Sequence, residues 1–327
     1  MGTTRRRFLS LASAAIAAPA FVSRARADVW PKDRIIRAIV PFNAGSSIDL
    51  VGRIVVDPLA RRLGQTIIIE NRGGAGGTIG AGQVAKAEPD GYTILINAAA
   101  HSNAPAAYPK LMYDAAEDFA SVASIGNVPN VLLVPKASGI TTVQDFVAKA
   151  KAKDGEMTFS SAGVGSATHW AVERFRISAG FKAMHIPFRG GLEALTEVMT
   201  GRVNFCCIGI SSAMPFIKEG TLVPLVVTSA TRSPSLPDIK TSLEMGYKDS
   251  DYNYWNGILV PVKTPRAIVE RLAAETTAVL AMPDVQEKLA VQGVEPQPLT
   301  PTEMDAMVRR EIALNLRLAK EAGLTFN

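Results

Sequence analysis

The sequence predicts an α/β protein with mainly parallel sheets. Runs of β-branched residues with strand character alternate with segments of helical periodicity along most of the chain. Strands that alternate with helices of about ten or more residues are typical of βαβ units, whose strands run parallel. The composition, with 47% hydrophobic and 20% charged residues, is globular and excludes a disordered chain.

The individual elements follow this alternation in chain order. In the first part we expect strands at residues 35–40, 66–70 and 92–97, and helices at 48–63 and 76–87. In the second part we expect strands at 130–134, 157–160, 183–186, 203–208 and 222–229, and helices at 143–151, 166–179 and 192–200. The tail is predicted to be helical at 267–280, 284–292 and 301–322, because a proline stands near each of the three helix starts.

No flexible linker divides the chain, and no repeat stands out. Two domains of about 150 residues each would still fit a chain of 327 residues. We therefore expect any two domains to be joined by strand-like crossovers, for which residues 124–131 and 225–229 are the candidates.

The N-terminus carries the whole positive charge of the chain. The formal charge is +5, and residues 1–27 contain five arginines and no acidic residue, so that residues 28–327 are formally neutral. A run of three arginines, Phe8-Leu9, an apolar stretch to residue 20 and Ala25-Arg26-Ala27 resemble a twin-arginine signal peptide. The alternative to a signal peptide is an N-terminal helix that anchors the chain in the membrane. The apolar stretch is shorter than the roughly 20 residues that such a helix needs. We expect cleavage between Ala27 and Asp28, a periplasmic mature protein and no nucleic-acid partner.

Four loops at predicted strand ends could carry chemistry. In open α/β sheets, ligands bind beyond the carboxyl ends of the strands, where loops lead into helix starts. The loops are rich in Gly, Ser, Thr and Asn, and they span residues 41–47, 97–103, 160–169 and 187–191. Free N–H groups and the positive end of a helix dipole make such a loop an anion site, whereas each loop alone could also be an ordinary capped turn.

Other chemistry is poorly supported by the sequence. The glycine-rich stretch 73–80 lacks the G-x-G-x-x-G spacing of a dinucleotide site, and close helix–sheet packing is the better interpretation. The three histidines and two cysteines show no metal-ligand spacing, and adjacent Cys206 and Cys207 are predicted to be buried thiols. A serine nucleophile at Ser166 with His169 as base remains an alternative. We therefore expect no metal and no cofactor.

Several segments of the chain carry a distinctive combination of residues. They are residues 39–42 with Asp49, the stretch 64–80, Pro89-Asp90-Gly91-Tyr92-Thr93, residues 161–169, residues 185–191 and Trp255-Asn256-Gly257. Together these segments resemble the Bug family, the solute-binding receptors of tripartite tricarboxylate transporters. The likeness covers essentially the whole mature chain, in order. Loop 41–47 departs from the family, which usually has a proline and paired glycines where this chain has Asn43-Ala44-Gly45-Ser46-Ser47.

The resemblance implies a fold, a function and a set of ligand-binding residues. It implies a type II periplasmic-binding-protein fold, with lobe 1 at residues 28–127 plus 228–327, lobe 2 at 128–227, and a ligand cleft between them. It implies a monomeric receptor, not an enzyme, that binds a di- or tricarboxylate, acidic amino acid or aromatic acid and delivers it to membrane permease subunits. A secreted hydrolase and a sensory receptor that presents its ligand to a membrane kinase are the alternatives. The expected ligand-binding residues are Phe42, Gly45, Ser46, Ser47, Asp49, His101, Ser161, Ala162, Gly163, Ser166, Thr168, His169 and Phe188, with Asp49 ordering its loop rather than touching the anion.

Overall fold

The computed structural model describes residues 30–321, except residues 33, 109, 189 and 253. The predicted signal peptide, its cleavage site and Arg189 of the fourth loop lie outside the described residues. The strands are β1 (Ile36–Val40), β2 (Ile67–Asn71), β3 (Thr93–Ala98), β4 (Phe119–Asn127), β5 (Asn130–Pro135), β6 (Thr158–Ser161), β7 (Met184–Pro187), β8 (Phe205–Gly209), β9 (Leu222–Val227) and β10 (Trp255–Pro261). The helices are α1 (Ser47–Leu63), α2 (Thr78–Ala85), α3 (Ala100–Ala107), α4 (Val143–Ala152), α5 (Ala167–Ala179), α6 (Gly191–Met199), α7 (Ile210–Lys218), α8 (Arg266–Leu280), α9 (Pro283–Val291) and α10 (Pro301–Glu321).

The strands form two five-stranded sheets, each the centre of one lobe. Lobe 1 has the order β2-β1-β3-β10-β4, and lobe 2 has the order β7-β6-β8-β5-β9. In each sheet the first three strands are parallel, and the remaining pairings are antiparallel. Four of the five strands in each sheet therefore run in the same direction, and only β10 in lobe 1 and β5 in lobe 2, each of which follows a crossing between the lobes, run in the opposite direction.

Two connections join the lobes. The first is short, since β4 ends at Asn127 in one sheet and β5 begins at Asn130 in the other. The second is longer: after β9 the chain remains on lobe 2, where Leu236 and Ile239 pack with its core, before β10 begins at Trp255. We therefore propose that the return to lobe 1 lies near residues 248–254 rather than at 228.

Four elements were not predicted from the sequence. They are the strands β4 and β10 and the helices α3 and α7. Residues 97–103 are predicted to be a loop of small and polar residues, yet residues 100–107 form two helical turns whose buried face packs on α10, although Asn103 and Pro105 disfavour a helix interior. Strand β10 contains Asn256-Gly257, a pair typical of turns, although all seven of its residues are buried.

Close packing explains several small residues in lobe 1 and the two thiols in lobe 2. A side chain at Gly80 would place its Cβ 2.6 Å from the Arg72 carbonyl and 2.9 Å from Pro41, so that α2 can lie against the end of β1 only with glycine there. Cys206 and Cys207 are buried free thiols on β8, as predicted, and burial raises the pKa of both. In the described part of the chain, no helix is both long and apolar enough to cross a membrane.

Candidate ligand-binding site

A cavity of about 510 Å³ lies between the lobes. This volume is within the range of small-molecule sites. Its wall is formed by one face of α3, the start of α5, and single residues from the loops after β1 and β2 and before β10. The lining residues are Phe42, Gly76, Ala100, Asn103, Ala104, Ala107, Tyr108, Val164, Gly165, Ser166, Ala167 and Tyr254.

Helix α3 contributes an almost continuous stripe to this wall. Its lining residues recur at the three- and four-residue spacing that places side chains on one face of a helix. Three of them are alanines, so the stripe is smooth and largely apolar. The Asn103 amide is held from behind, because its Nδ2 donates to Tyr252 Oη at 2.9 Å and its Oδ1 accepts from Asn315 Nδ2 at 3.0 Å.

The start of α5 is the polar part of the wall. Ser166 is the N-cap residue, and its Oγ accepts a hydrogen bond from the His169 N–H at 3.3 Å. The first regular helical bond is donated by Trp170 N–H to the Ser166 carbonyl at 3.0 Å. The N–H groups of Ala167 and Thr168 precede that bond and have no acceptor within the helix. Because they lie at the positive end of a 13-residue helix, they form a potential anion site.

The loop before α5 is held in shape by its own side chains. Thr168 Oγ1 accepts from the Ala162 N–H at 2.8 Å, and Ser161 Oγ lies 2.6 Å from His185 Nε2. The His169 and His185 rings stack with their centroids 3.9 Å apart. Ser161, Ala162, Gly163, Thr168 and His169 therefore support the wall, whereas Ser166 is the predicted loop residue that lies on it.

The loop between β1 and α1 places only Phe42 on the cavity wall. Asp49, of which 1% is exposed, accepts hydrogen bonds from the Gly45 N–H at 2.8 Å, Asn71 Nδ2 at 2.9 Å and Arg53 Nε at 3.0 Å. Burial alone would raise the pKa of Asp49, but these hydrogen bonds hold it below its ordinary value. Asp49 thus orders the loop, while Gly45, Ser46 and Ser47 are not among the described residues that line the cavity.

Ser46 nevertheless has an unused hydrogen-bonding group. It is the N-cap residue of α1, yet its side chain makes no capping bond, and its Oγ is buried without a hydrogen-bond partner among the described residues. A buried hydroxyl without a partner costs about 1–3 kcal/mol. A ligand group that reaches this hydroxyl would remove that cost.

Two predicted ligand contacts lie elsewhere. His101 is 1% exposed, its Nε2 donates to the Ala115 carbonyl at 2.8 Å, and its ring packs edge-on against Phe119 at 4.7 Å. Phe188 is half-buried against the core of lobe 2. Neither residue is among the described residues that line the cavity, because α3 turns the His101 ring into lobe 1 and leaves Ala100 and Asn103 facing the cavity.

Most of the wall was missed by the sequence reasoning. Gly76, Tyr108, Val164 and Tyr254 lie on it, together with the α3 stripe. The spacing of Ala100, Ala104 and Ala107 was a usable signal, but it is visible only once the segment is known to be helical. Gly76 was attributed to packing, and it does serve packing: a Cβ there would lie 2.5 Å from Tyr108 Oη.

The Ser166–His169 pair is arranged for helix capping. Ser166 Oγ accepts from the backbone of His169 and lies 3.0 Å from Thr168 Oγ1. The His169 Nδ1 atom accepts from the Gly165 N–H at 3.0 Å, and its Nε2 faces Glu173 at 3.7 Å. A general base must accept the proton of its nucleophile at a free ring nitrogen. These contacts do not give His169 that role.

Asp49 provides a prediction about loop order and pH. We expect Asp49→Asn to lower the free energy of unfolding by about 1–3 kcal/mol at pH 7, because a buried charged acceptor of three hydrogen bonds is lost. The pKa of Asp49 is lowered in the folded state, so its contribution is present above about pH 4 and is lost as the pH falls through the folded-state value. Urea denaturation at pH 7 and pH 3 measures both effects. The control is Asp57→Asn on the exposed face of α1, and equal effects of the two variants at pH 7 would contradict the prediction.

The buried side chain of His101 provides a second prediction about pH. Burial lowers the pKa of His101 to about 4, against a weaker opposing effect of its bond to Ala115. The unfolded chain takes up a proton at this residue below about pH 6.5, whereas the folded chain does so only near pH 4. We therefore expect stability to fall between these values, with His101 contributing on the order of 3 kcal/mol. When the pH is lowered from 7 to 4.5, the free energy of unfolding should fall less for His101→Gln than for the wild type. Equal losses in the two proteins would contradict a lowered pKa of His101 in the folded state.

Two α/β lobes that enclose a cavity with a helix start on its wall define a solute-binding receptor of the periplasmic-binding-protein class. Residues 51–324 match the model of the tripartite tricarboxylate transporter family receptor. The chain therefore belongs to this family, which includes the Bug proteins, as the sequence resemblance predicted.

Individual relatives agree with this assignment. The chain is 31% identical to protein BugT of Bordetella pertussis, over 96% of this chain and 95% of BugT. It is similar to MatC from Rhodopseudomonas palustris, solved with bound malate, with 31% identity, a TM-score of 0.71, and coverage of 87% of this chain and 98% of MatC. A second R. palustris protein, solved with adipate, gives 32% identity, a TM-score of 0.74, and coverage of 90% and 99%. The predicted two-lobed fold is confirmed by these structures, and the two relatives solved with ligand hold the small carboxylates malate and adipate.

Proposed function

We propose that this chain is an exported receptor that captures a small carboxylate between its lobes and delivers it to the membrane subunits of a tripartite tricarboxylate-type transporter. The observation that carries the proposal is the start of α5 on the wall of the inter-lobe cavity. It combines helix N–H groups, a capping hydroxyl and a helix dipole, and each of these favours an anion.

The carboxylate is received by neutral donors. Its oxygens accept hydrogen bonds from the Ala167 and Thr168 N–H groups and from Ser166 Oγ. Hydrogen bonds to a charged acceptor are about twice as strong as those between neutral groups. Since residues 28–327 are formally neutral, local donors rather than net charge provide the attraction.

Closure of the lobes completes the site. Phe42 already lies on the wall, and a small movement of its loop would bring Ser46 and Ser47, at the start of α1, onto the same carboxylate. The unpartnered Ser46 Oγ then finds an acceptor. A ligand that binds the closed form more tightly shifts the open–closed equilibrium by that difference in affinity. The closed form is the one that docks on the permease.

Location and assembly follow from the same proposal. Residues 1–27 direct export and are removed, so that the mature chain begins near Asp28 in the periplasm. The receptor acts as a monomer, because the wall of its site is supplied by the two lobes of one chain. Relatives with bound malate and adipate support a small organic acid as the ligand.

The first experiment tests binding. Purified mature protein is heated in the presence of a panel of mono-, di- and tricarboxylates and their uncharged methyl esters. An acid present at 100 times its Kd adds about 2.7 kcal/mol of stability, which raises the Tm by several degrees. We expect stabilisation by acids and not by esters. Stabilisation by no acid, together with hydrolysis of an ester, would favour the hydrolase alternative.

The second experiment tests delivery. Uptake of the radiolabelled acid is measured in cells of the source organism with and without the gene. We expect uptake to be lost and to return with the wild-type gene but not with a variant that cannot bind. Undiminished uptake in the deletion strain, with binding intact in vitro, would contradict delivery and favour the sensory alternative.

A further inference from the structure

The described part of the cavity wall is uncharged. Among the described residues that line it there is no Lys, Arg, Asp, Glu or His. An ionised group enclosed by such a wall depends entirely on hydrogen-bond donors for its stability, and a carboxylate without them is strongly disfavoured. The number of places with suitable donors therefore limits the number of carboxylates that the ligand can carry.

Among the described lining residues, one group has a set of donors suited to a carboxylate. This group is at the start of α5, with the Ala167 N–H and the Ser166 hydroxyl. Among the described lining residues Asn103 has the only side-chain amide, and its Oδ1 and one of its two Nδ2 hydrogens are engaged by Asn315 and Tyr252 behind the wall, which leaves at most a single N–H. The start of α1 is not part of the described lining, and in the proposed closed form it meets the same carboxylate rather than a second one.

The remainder of the wall suits an apolar body. Ala100, Ala104 and Ala107 form a smooth stripe, and Phe42 and Val164 add further apolar surface. From Ala100 to Tyr108 this stripe is about 12 Å long at 1.5 Å per residue. Tyr108 and Tyr254 contribute aromatic rings with neutral hydroxyls, and burial raises the pKa of Tyr254. A second carboxylate placed against this surface would lose its hydrogen bonds to water and gain at most a hydrogen bond from a neutral hydroxyl.

We infer that the ligand carries a single carboxylate on an aliphatic or aromatic body, in contrast to the dicarboxylates malate and adipate bound by two relatives. This inference rests on the proposed function, because it assumes that the ligand binds in this cavity with its carboxylate at α5. It goes further by excluding a second charge.

Hexanoate and adipate form a matched pair for the test, since they have the same six-carbon chain and differ only in the second carboxylate. Their affinities for the mature protein are measured by isothermal titration calorimetry, with phenylacetate and malate as the aromatic and polar comparisons. We expect hexanoate to bind at least 10-fold more tightly than adipate, and phenylacetate at least 10-fold more tightly than malate.

A variant tests whether the uncharged wall causes the preference. Tyr108→Lys introduces a cation at the partly exposed end of α3, and Tyr108→Met is the uncharged control of similar length. We expect the Lys variant to lower the hexanoate-to-adipate affinity ratio at least 10-fold and the Met variant to leave it within about 3-fold. Circular dichroism and the Tm establish that both variants fold.

The outcomes separate this inference from the proposed function. Adipate binding as tightly as hexanoate, or an unchanged ratio in a folded Tyr108→Lys variant, would overturn the single-charge inference and leave a carboxylate receptor. Binding of none of the four acids, nor of any acid in the thermal panel, would overturn the proposed function itself.

Discussion

Replacing Ala167 with proline is expected to weaken carboxylate binding about 10- to 100-fold while the fold is retained. Ala167 is the first helical residue of α5, where proline is well tolerated because its missing N–H has no partner in the helix. Ser166 already has the extended conformation that a residue before proline needs, with φ −67° and ψ 163°. The substitution therefore removes one donor of the anion site, and a hydrogen bond to a charged group contributes about 1.5–3 kcal/mol.

The matched control is Ala167→Gly, which keeps the N–H and removes only the methyl group. We expect its affinity to stay within about 3-fold of the wild type. Calorimetric titration with hexanoate gives both Kd values, and thermal denaturation without ligand shows whether α5 remains intact. Equal affinities of the proline variant and the wild type, with both folded, would place the carboxylate away from the start of α5.

Replacing Arg174 with methionine is expected to lower the free energy of unfolding by about 3–5 kcal/mol. Arg174 on α5 of lobe 2 is fully buried and forms an ion pair with Glu311 on α10, which packs on lobe 1. It also donates to the Asp251 carbonyl at 2.6 Å and to Asn315 Oδ1 at 2.7 Å. Its removal leaves the buried Glu311 carboxylate with only the longer contact to Arg310 Nη2 at 3.4 Å, which accounts for most of the expected loss.

Two comparisons test the physical reason for this loss. Arg317 lies on α10, as Glu311 does, and forms an exposed ion pair with Asp249, so Arg317→Met should cost less than about 1 kcal/mol. The double variant Arg174→Met/Glu311→Leu should recover much of the stability, because no buried charge is left unpaired. Urea denaturation provides all three values. A loss for Arg174→Met no larger than for Arg317→Met would contradict this account.

The secondary structure could be predicted from the sequence wherever the hydrophobic periodicity and the positions of Gly and Pro indicate the same element boundaries. Helix α1 was expected at 48–63 and begins at Ser47, and β5 begins at Asn130 as predicted. The prediction failed where local preference and tertiary packing disagree. Strand β10 forms despite Asn256-Gly257 because it lies between β3 and β4, and no sequence-local rule contains that pairing.

The site was only partly accessible from the sequence for a related reason. Loop composition drew attention to Ser166 and Phe42, which lie on the wall, and equally to His101, which does not. The sequence alone does not show whether a histidine side chain faces a cavity or packs in the core. For His101 the orientation is set by helix α3. The alanine stripe carries no chemical signal until the helix and the facing lobe are known.

A crystal structure of the mature protein with hexanoate tests the central claim most directly. We predict a closed form in which the carboxylate oxygens lie within about 3.1 Å of the Ala167 and Thr168 nitrogens and the alkyl chain lies along the α3 stripe. A carboxylate bound elsewhere, for example in the second cavity of about 530 Å³ that β4, α8 and α9 line in lobe 1, would contradict the account.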